Sequence, residues 1–268
     1  MEIQIKKAIK AGNSSAVILP KSWLNKDVRI ELVKKTPEAI LLDTINITKE
    51  YLNLKNVIGI YLVGSYARSE EDKDSDIDIL IITDNIDKEL IRDGTYNILI
   101  ISKELLRQKL NNDLLPIGPM LKEAMPLLNA NYLSKIKIKV TKENIRWYLK
   151  TTEEKLKIIK KIFDIERSKN KRYVDDAIAY TLVLRIRTLY IIDKLIKNEA
   201  YSKKEFIELI KKVSLGETAY EGYLEVKHNE KRKQKTRIDE AERLYNYLKN
   251  QLVDVKTNVV SPMNLVPR

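Results

Sequence analysis

The sequence predicts an α+β protein of several domains, with short strands first, an α/β domain next and a helical bundle last. Three textures indicate this order. Residues 1–47 alternate apolar and polar residues, as short strands do. Residues 48–137 mix strand-like with helix-like patterns, and residues 138–258 space their apolar residues as helices do. Residues 259–268 form a tail, and its final Leu-Val-Pro-Arg resembles the remnant of a thrombin-cleaved tag.

Three short strands are predicted in the first segment. Their apolar residues are Ile3 with Ile5, Ala16–Leu19, and Val28–Leu32. Gly12-Asn13 suits a tight turn, and Pro20 ends a strand where a helix can start.

The run from Lys10 to Leu24 resembles the swapped-hairpin module of the AbrB/SpoVT type. In that family Gly-Asn-Ser precedes a strand and Leu-Pro-Lys opens a short helix, as here. The resemblance implies a homodimer, because half of such a hairpin cannot close its own core, and it implies DNA binding. Phosphate contacts would then come from the basic residues Lys6, Lys7, Lys10, Lys21 and Arg29. A module that serves dimerisation alone is the alternative.

The strongest functional signal lies where two apolar strands flank a polar segment. The first strand is Ile58–Val63, and Asp76 and Asp78 stand two apart in the second, around Ile77–Ile82. Residues i and i+2 of a strand point to one face, so both carboxylates project together. Two adjacent carboxylates ionise readily only beside a cation. Oxygen ligands in a phosphate-handling setting favour Mg²⁺.

A phosphate-binding turn is predicted directly after the first of these strands. Gly64 lets a phosphate approach the backbone, and Ser65 offers an N–H and a hydroxyl at the start of a helical turn. The turn and the two carboxylates are close enough in sequence to share one site.

This run resembles the signature of the nucleotidyltransferase (DNA polymerase β-like) superfamily, Gly-Ser-x-Ala-Arg-Gly followed by Ser-Asp-x-Asp. The resemblance is to the small, minimal members and covers roughly residues 48–135. It implies a mixed sheet, with Asp76 and Asp78 as catalytic metal ligands. It implies nucleotide binding by Gly64, Ser65, Arg68 and Ser75.

The chain departs from this signature at two places. Ser69 replaces the Gly that usually follows Ala-Arg. The segment Tyr96–Ile101 looks like the strand that commonly supplies a third carboxylate, and Asn97 stands at that position. An amide oxygen binds Mg²⁺ weakly and cannot remove a proton, so Asn97 is expected to be a poor third metal ligand. Asp93 precedes Gly94 in a predicted turn and is a poor substitute.

Other elements follow from capping and breaking residues. Thr48 is expected to cap a helix that runs to about Asn53. Prolines and a glycine interrupt residues 112–135, which predicts loop mixed with short helix. From Thr141 onward the apolar spacing predicts about four amphipathic helices packed as a bundle, with Asp175 or Asp176 and then Ser202 starting two of them.

Composition narrows the classes of function. A net charge of +12 and a pI near 9.4 indicate polyanionic partners, although a hot-growing or AT-rich source explains the Lys/Ile/Glu-rich composition equally well. The absence of Cys excludes disulfides and thiolate metal sites and fits a cytoplasmic protein. With His228 alone, a His-based triad or zinc cluster is excluded. No apolar run reaches membrane-spanning length, so no membrane partner is expected.

The sequence therefore predicts an enzyme that moves a nucleoside monophosphate from an NTP to a hydroxyl. ATP is the expected nucleotide, Mg²⁺ the expected cofactor, and RNA, protein or a small molecule the acceptor. The alternative is a dimeric DNA-binding regulator whose degenerate transferase domain senses nucleotides without turning them over. A toxin–antitoxin-type component that acts through a protein partner is a third interpretation.

Overall fold

The computed structural model describes residues 4, 6, 8–31, 35–72, 75–228 and 235–260. The chain divides into two compact units. Residues 1–108 and 123–137 form the first, and residues 109–122 and 138–268 form the second. Every strand of the described chain belongs to the first unit, whereas the regular elements described in the second unit are helices joined by loops.

The first unit begins with a small antiparallel hairpin. Its strands are β1 (Ile9–Ala11) and β2 (Ser14–Ala16), and a 3₁₀ turn, Lys21–Trp23, follows Pro20. The turn after Pro20 agrees with the predicted helix start, since proline suits the entry to a helical turn.

The strands predicted at Ala16–Leu19 and Val28–Leu32 are wrong within the described residues. Of residues 16–31, only Ala16 lies in a strand. The described chain supplies no partner strand for this stretch, and an unpaired strand leaves its backbone donors and acceptors unsatisfied by protein. Leu32, like the predicted strand residues Ile3 and Ile5, lies outside the described residues.

Helix α1 (Pro37–Thr48) leads into the sheet. The Thr36 side chain accepts a hydrogen bond from the Ala39 N–H, and Pro37 occupies the first helical position. Both features start helices, because the first turn has N–H groups without helical partners. The predicted helix from Thr48 to Asn53 is wrong, since Thr48 ends a helix here instead of capping one.

A five-stranded sheet forms the core of the first unit, in the order β5-β6-β4-β3-β7. The central pair β4 and β6 is parallel and every other neighbouring pair is antiparallel, so the predicted mixed sheet is confirmed. Strand β4 is buried along nearly its whole length, as its continuous apolar run predicts. The strands are β3 (Val57–Val63), β4 (Ile77–Thr83), β5 (Lys88–Asp93), β6 (Tyr96–Ser102) and β7 (Met125–Leu128).

Helix α1 packs on this sheet. Ile40 and Ile47 of the helix join the isoleucines of β4 and β6 in one buried cluster. The Tyr96 hydroxyl donates to the Asp43 carboxylate at 2.7 Å, which adds a polar contact between helix and sheet. The described residues between β3 and residue 135 also form four short helices, namely α2 (Gly64–Ala67), α3 (Lys103–Asn112), α4 (Gly118–Glu123) and α5 (Ala130–Lys135).

The described part of the second unit contains the four predicted helices and a further one, Thr218–His228, that the sequence analysis did not assign. Asp175 and Ser202 cap two of them, each accepting a hydrogen bond from a first-turn N–H, as expected. No helix in the described chain combines the length and apolar character that crossing a membrane requires. The long helices are α6 (Lys142–Ser168), α7 (Asp176–Ile196), α8 (Lys203–Ser214), α9 (Thr218–His228) and α10 (Ile238–Val260).

Candidate active site

The Gly64 turn lies against the Asp78 carboxylate in the first unit. Strand β3 ends at Val63, and Gly64 opens α2 with a φ of +72°, a conformation that side chains disfavour. A Cβ atom on Gly64 would lie 2.3 Å from Oδ2 of Asp78. Glycine is thus required here both by the backbone conformation and by the carboxylate beside it.

Sheet register brings the acidic pair together with Asn97. Asp78 in β4 lies opposite Val63 of β3 on one side and opposite Asn97 of β6 on the other. Asp76 immediately precedes β4. The Asn97 side-chain nitrogen donates to Asp76 at 3.3 Å and to Asp78 at 3.2 Å. Both carboxylates therefore converge within hydrogen-bonding distance of a single nitrogen atom.

The electrostatics of Asp78 favour a cation at this point. Burial of its side chain raises the pKa of Asp78 above its ordinary value, and the charge of Asp76 raises this pKa further. The Asn97 hydrogen bond and the positive charge of Arg68 act in the opposite direction. The carboxylate is thus a poorly compensated negative charge, which a bound cation would stabilise.

Arg68 lies at the end of α2, where it forms ion pairs with two glutamates. Its Nε is 2.8 Å from Glu70, and its Nη1 is 2.5 Å from Glu123. Glu123 also accepts a hydrogen bond from the Gly64 N–H at 2.7 Å. The two groups expected to bind phosphate thus share one carboxylate.

Glu123 is a residue of this site that the sequence analysis missed. It ends α4 and precedes β7, the edge strand that pairs with β3. Pro126 within β7 hides this strand in the sequence, because proline in a sheet is confined to edge strands, first strand residues and bulges. The available signal was the short apolar run Met125–Leu128, which begins two residues after Glu123.

Ser65 and Ser75, the two serines predicted to bind nucleotide, each form hydrogen bonds within a local turn. The Ser65 carbonyl accepts from the Glu70 N–H at 2.9 Å within the turn after β3. The Ser75 hydroxyl donates to the Asp72 carboxylate at 2.9 Å and accepts from the Asp72 N–H at 2.8 Å. Ser75 thus closes a local turn just before Asp76, and its role in nucleotide binding stays a prediction.

The basic residues predicted to contact DNA are exposed where they are described. Lys6, Lys10, Lys21 and Arg29 are all exposed, and Lys7 lies outside the described residues. The Arg29 guanidinium pairs with Glu31 at 2.5 Å. Their role as a phosphate-binding surface stays a prediction.

The Gly64 turn and the acidic pair lie in a region that matches a known protein family. Residues 44–214, well over half of the chain, match the family model described as the nucleotidyltransferase domain. The chain belongs to the nucleotidyltransferase domain family. The matched region includes the Gly64 turn, the Asp76 and Asp78 pair and Glu123, which confirms the predicted superfamily.

Two solved structures that resemble this nucleotidyltransferase chain are distant from it in sequence. A spectinomycin adenyltransferase, AAD(9) from Enterococcus faecialis, solved with ATP and spectinomycin, is 17% identical and has a TM-score of 0.41. The likeness covers 79% of this chain and 99% of that one. A nucleotidyltransferase-like protein from Exiguobacterium sibiricum is 14% identical with a TM-score of 0.36, covering 84% of this chain and 78% of that one. TM-scores this low carry no argument about chemistry. Comparison with curated proteins finds no match.

The donor atoms of the nucleotidyltransferase site suit a hard divalent cation. Asp76 and Asp78 offer only oxygen ligands, and Mg²⁺ in phosphate-transferring sites is typically bound by one or two carboxylates together with phosphates and water. The Asn97 side-chain nitrogen donates to both carboxylates and thereby places partial positive charge beside them. Among the residues with described positions, no cluster of three or more His, Cys, Asp or Glu forms a metal site.

Proposed function

We propose that this nucleotidyltransferase domain transfers a nucleoside monophosphate from an NTP, with ATP as the expected nucleotide, to a hydroxyl group. The supporting observation is the convergence of Asp76 and Asp78 beside the Gly64 turn. Transfer from a nucleotide needs a phosphate-binding turn and a metal-binding pair at one place, and the closeness of these residues supports that assignment. The acceptor is an RNA, a protein or a small molecule.

Each residue has a role in this proposal. Gly64, Ser65 and Arg68 hold the phosphates, with Ser75 at the turn before the acidic pair. Asp76 and Asp78 would hold Mg²⁺, and Asn97 would be a weak third ligand once its amide turned to direct the oxygen, in place of the nitrogen, at the ion. Bound Mg²⁺ would neutralise negative charge that develops on the phosphate oxygens.

The transfer step exchanges one bond to phosphorus for another. The acceptor oxygen bonds to the α-phosphorus while the bond from that phosphorus to the α–β bridging oxygen breaks. Pyrophosphate leaves, and the hydroxyl proton is released to water. Because Asn97 cannot take up this proton, the chain supplies binding and charge stabilisation and no general base at that position.

Transfer of label from α-labelled nucleotides tests this proposal. Wild-type protein with Mg²⁺ should label RNA, DNA, itself or a small-molecule acceptor, and Asp76→Ala should not. The γ-labelled nucleotide is the matched control, because its label leaves with pyrophosphate. Label that persists in Asp76→Ala, or that comes from the γ-position, would contradict the proposal.

A nucleotide-sensing regulator is the second candidate function. The contact that favours it is Asn97, which donates to both carboxylates and adds no negative charge. The variant Asn97→Asp separates the two functions. If the domain is a transferase, the wild type is already active without this change. If the domain is a sensor, wild-type protein binds nucleotide without transfer, and Asn97→Asp creates or greatly raises activity.

Homodimerisation through the N-terminal segment is part of the regulator hypothesis. Ile18, Leu24 and Ile30 are 70%, 71% and 69% exposed, and contact with a second copy would bury them. Light scattering should then give twice the 31.2 kDa chain mass, and Ile30→Asp should give a monomer. A wild-type monomer would rule out this dimer. Retention of the protein on immobilised DNA would test the surface formed by Lys6, Lys10 and Lys21.

A further inference from the structure

The Glu123 carboxylate occupies the donors that a nucleotide phosphate would need. Its Oε1 accepts from the Gly64 N–H at 2.7 Å, and its Oε2 accepts from Nη1 of Arg68 at 2.5 Å. Each carboxylate oxygen therefore has its own charge-assisted or backbone donor, as two oxygens of one phosphate would.

The sheet holds Glu123 in this place. Leu62 of β3 pairs with Met125 of β7, and Gly64 and Glu123 each stand two residues beyond this pair, at the ends of the paired segments. The Glu123 side chain is only 7% exposed. Burial raises the pKa of Glu123, while the charge and hydrogen bond of Arg68 and the Gly64 N–H lower it. The contact is thus a built feature of the sheet edge and not a surface ion pair.

A phosphate and this carboxylate cannot use the same donors together. The Gly64 N–H carries one hydrogen, and Glu123 already accepts it. An anionic phosphate placed beside an ionised Glu123 would also be repelled.

We propose that Glu123 is a resident anion of the phosphate-binding turn, and that an NTP binds by displacing its carboxylate from Gly64 and Arg68. This inference rests on the proposed function, because it assigns the affinity-setting residue of the same site. Glu123 then stabilises the empty turn and lowers the affinity for nucleotide.

The direct test compares nucleotide affinity in wild type and Glu123→Gln. The probe is an ATP analogue with a methylene group between the α- and β-phosphorus, titrated calorimetrically at fixed Mg²⁺. Glutamine keeps the side-chain length and removes the competing charge, so the analogue should bind about tenfold more tightly, which corresponds to about 1.4 kcal/mol. Tripolyphosphate should show the same gain, and adenosine should show none.

Two further variants separate loss of the Glu123 contact from a general effect of charge. Glu70→Gln removes the other carboxylate paired with Arg68, at 2.8 Å from its Nε, and leaves the contact of Glu123 with Gly64. It should change affinity by less than about twofold, as expected of a partly exposed ion pair. Glu123→Asp keeps the charge but shortens the reach, so it should also tighten binding.

The outcomes separate this inference from the proposed function. Tighter binding by Glu123→Gln and Glu123→Asp but not by Glu70→Gln supports displacement. Equal or weaker binding by both Glu123 variants overturns it, as does an equal gain in Glu70→Gln. If neither the wild type nor any variant binds the analogue or tripolyphosphate, the proposed function itself is overturned.

Discussion

Replacing Asp78 with asparagine should reduce nucleotidyl transfer by about a thousandfold or more. A metal-binding carboxylate supplies several kcal/mol of charge stabilisation, and each ~1.4 kcal/mol is about tenfold in rate. Asparagine matches aspartate in shape, so the pairing of β4 with β3 and β6 should persist. Single-turnover transfer from α-labelled ATP measures this loss. Melting curves of both proteins show whether the variant is still folded.

The same variant should be at least as stable as the wild type without metal. Burial first and the charge of Asp76 second raise the pKa of Asp78, so the native state binds this proton more tightly than the unfolded chain. Wild-type stability therefore falls as pH rises from the ordinary carboxyl range through the raised pKa of Asp78. Asp78→Asn should lack that fall. Retained activity, or unfolding at neutral pH, would contradict the role given to Asp78.

Gly64→Ala should abolish nucleotide binding with only moderate loss of stability. The left-handed backbone, with φ of +72°, costs an alanine about 1–2 kcal/mol. The new Cβ would also lie 2.3 Å from Asp78 Oδ2, so either the turn or the carboxylate must move. Both belong to the proposed site, and a displacement of either should remove nucleotide affinity, measured by calorimetry.

Gly12→Ala is the matched control for this change. Gly12 has φ of +60°, yet a Cβ there meets no atom within 4 Å. It therefore carries similar backbone strain in the β1–β2 hairpin, without the clash with Asp78. Nucleotide affinity should survive in Gly12→Ala and disappear in Gly64→Ala. Equal behaviour of the two variants would show that the Gly64 turn has no special part in binding.

The central strands and the acidic pair could be predicted because their signals are local. Runs such as Ile77–Ile82 are too apolar for an exposed strand, and the side-chain period of two places Asp76 with Asp78. The predicted strand at Tyr96–Ile101 corresponds to β6, and its register brings Asn97 to Asp78. The caps at Asp175 and Ser202 were also predicted, since capping depends on residues a few positions apart.

The contact of Glu123 with Gly64 could not be predicted because it is non-local. It depends on β7 pairing with β3 across some sixty residues of chain, and Pro126 hides that strand. The error at Asp93 is smaller and local, because this residue was assigned to a turn but ends β5 and pairs with Tyr96, just before the turn at Gly94. Pairing partners decide strands, and local composition does not name them.

In the N-terminal segment, strands were predicted beyond Ala16, where the structure has none among the described residues. Alternating apolar residues predicted strands at Val28–Leu32, but Val28 and Ile30 are exposed and lie outside any strand. Alternation indicates a strand only where a partner strand and a core face are available.

Anomalous scattering from Mn²⁺, used in place of Mg²⁺, tests the central claim most directly. Crystals grown with Mn²⁺ and the methylene-bridged ATP analogue should show an anomalous peak bound by Asp76 and Asp78, with phosphates on the Gly64 turn. Glu123 should then have left the Gly64 N–H. A peak elsewhere, or a nucleotide bound away from Gly64 with the acidic pair empty, would contradict the assignment of this turn and pair as the nucleotidyl-transfer site.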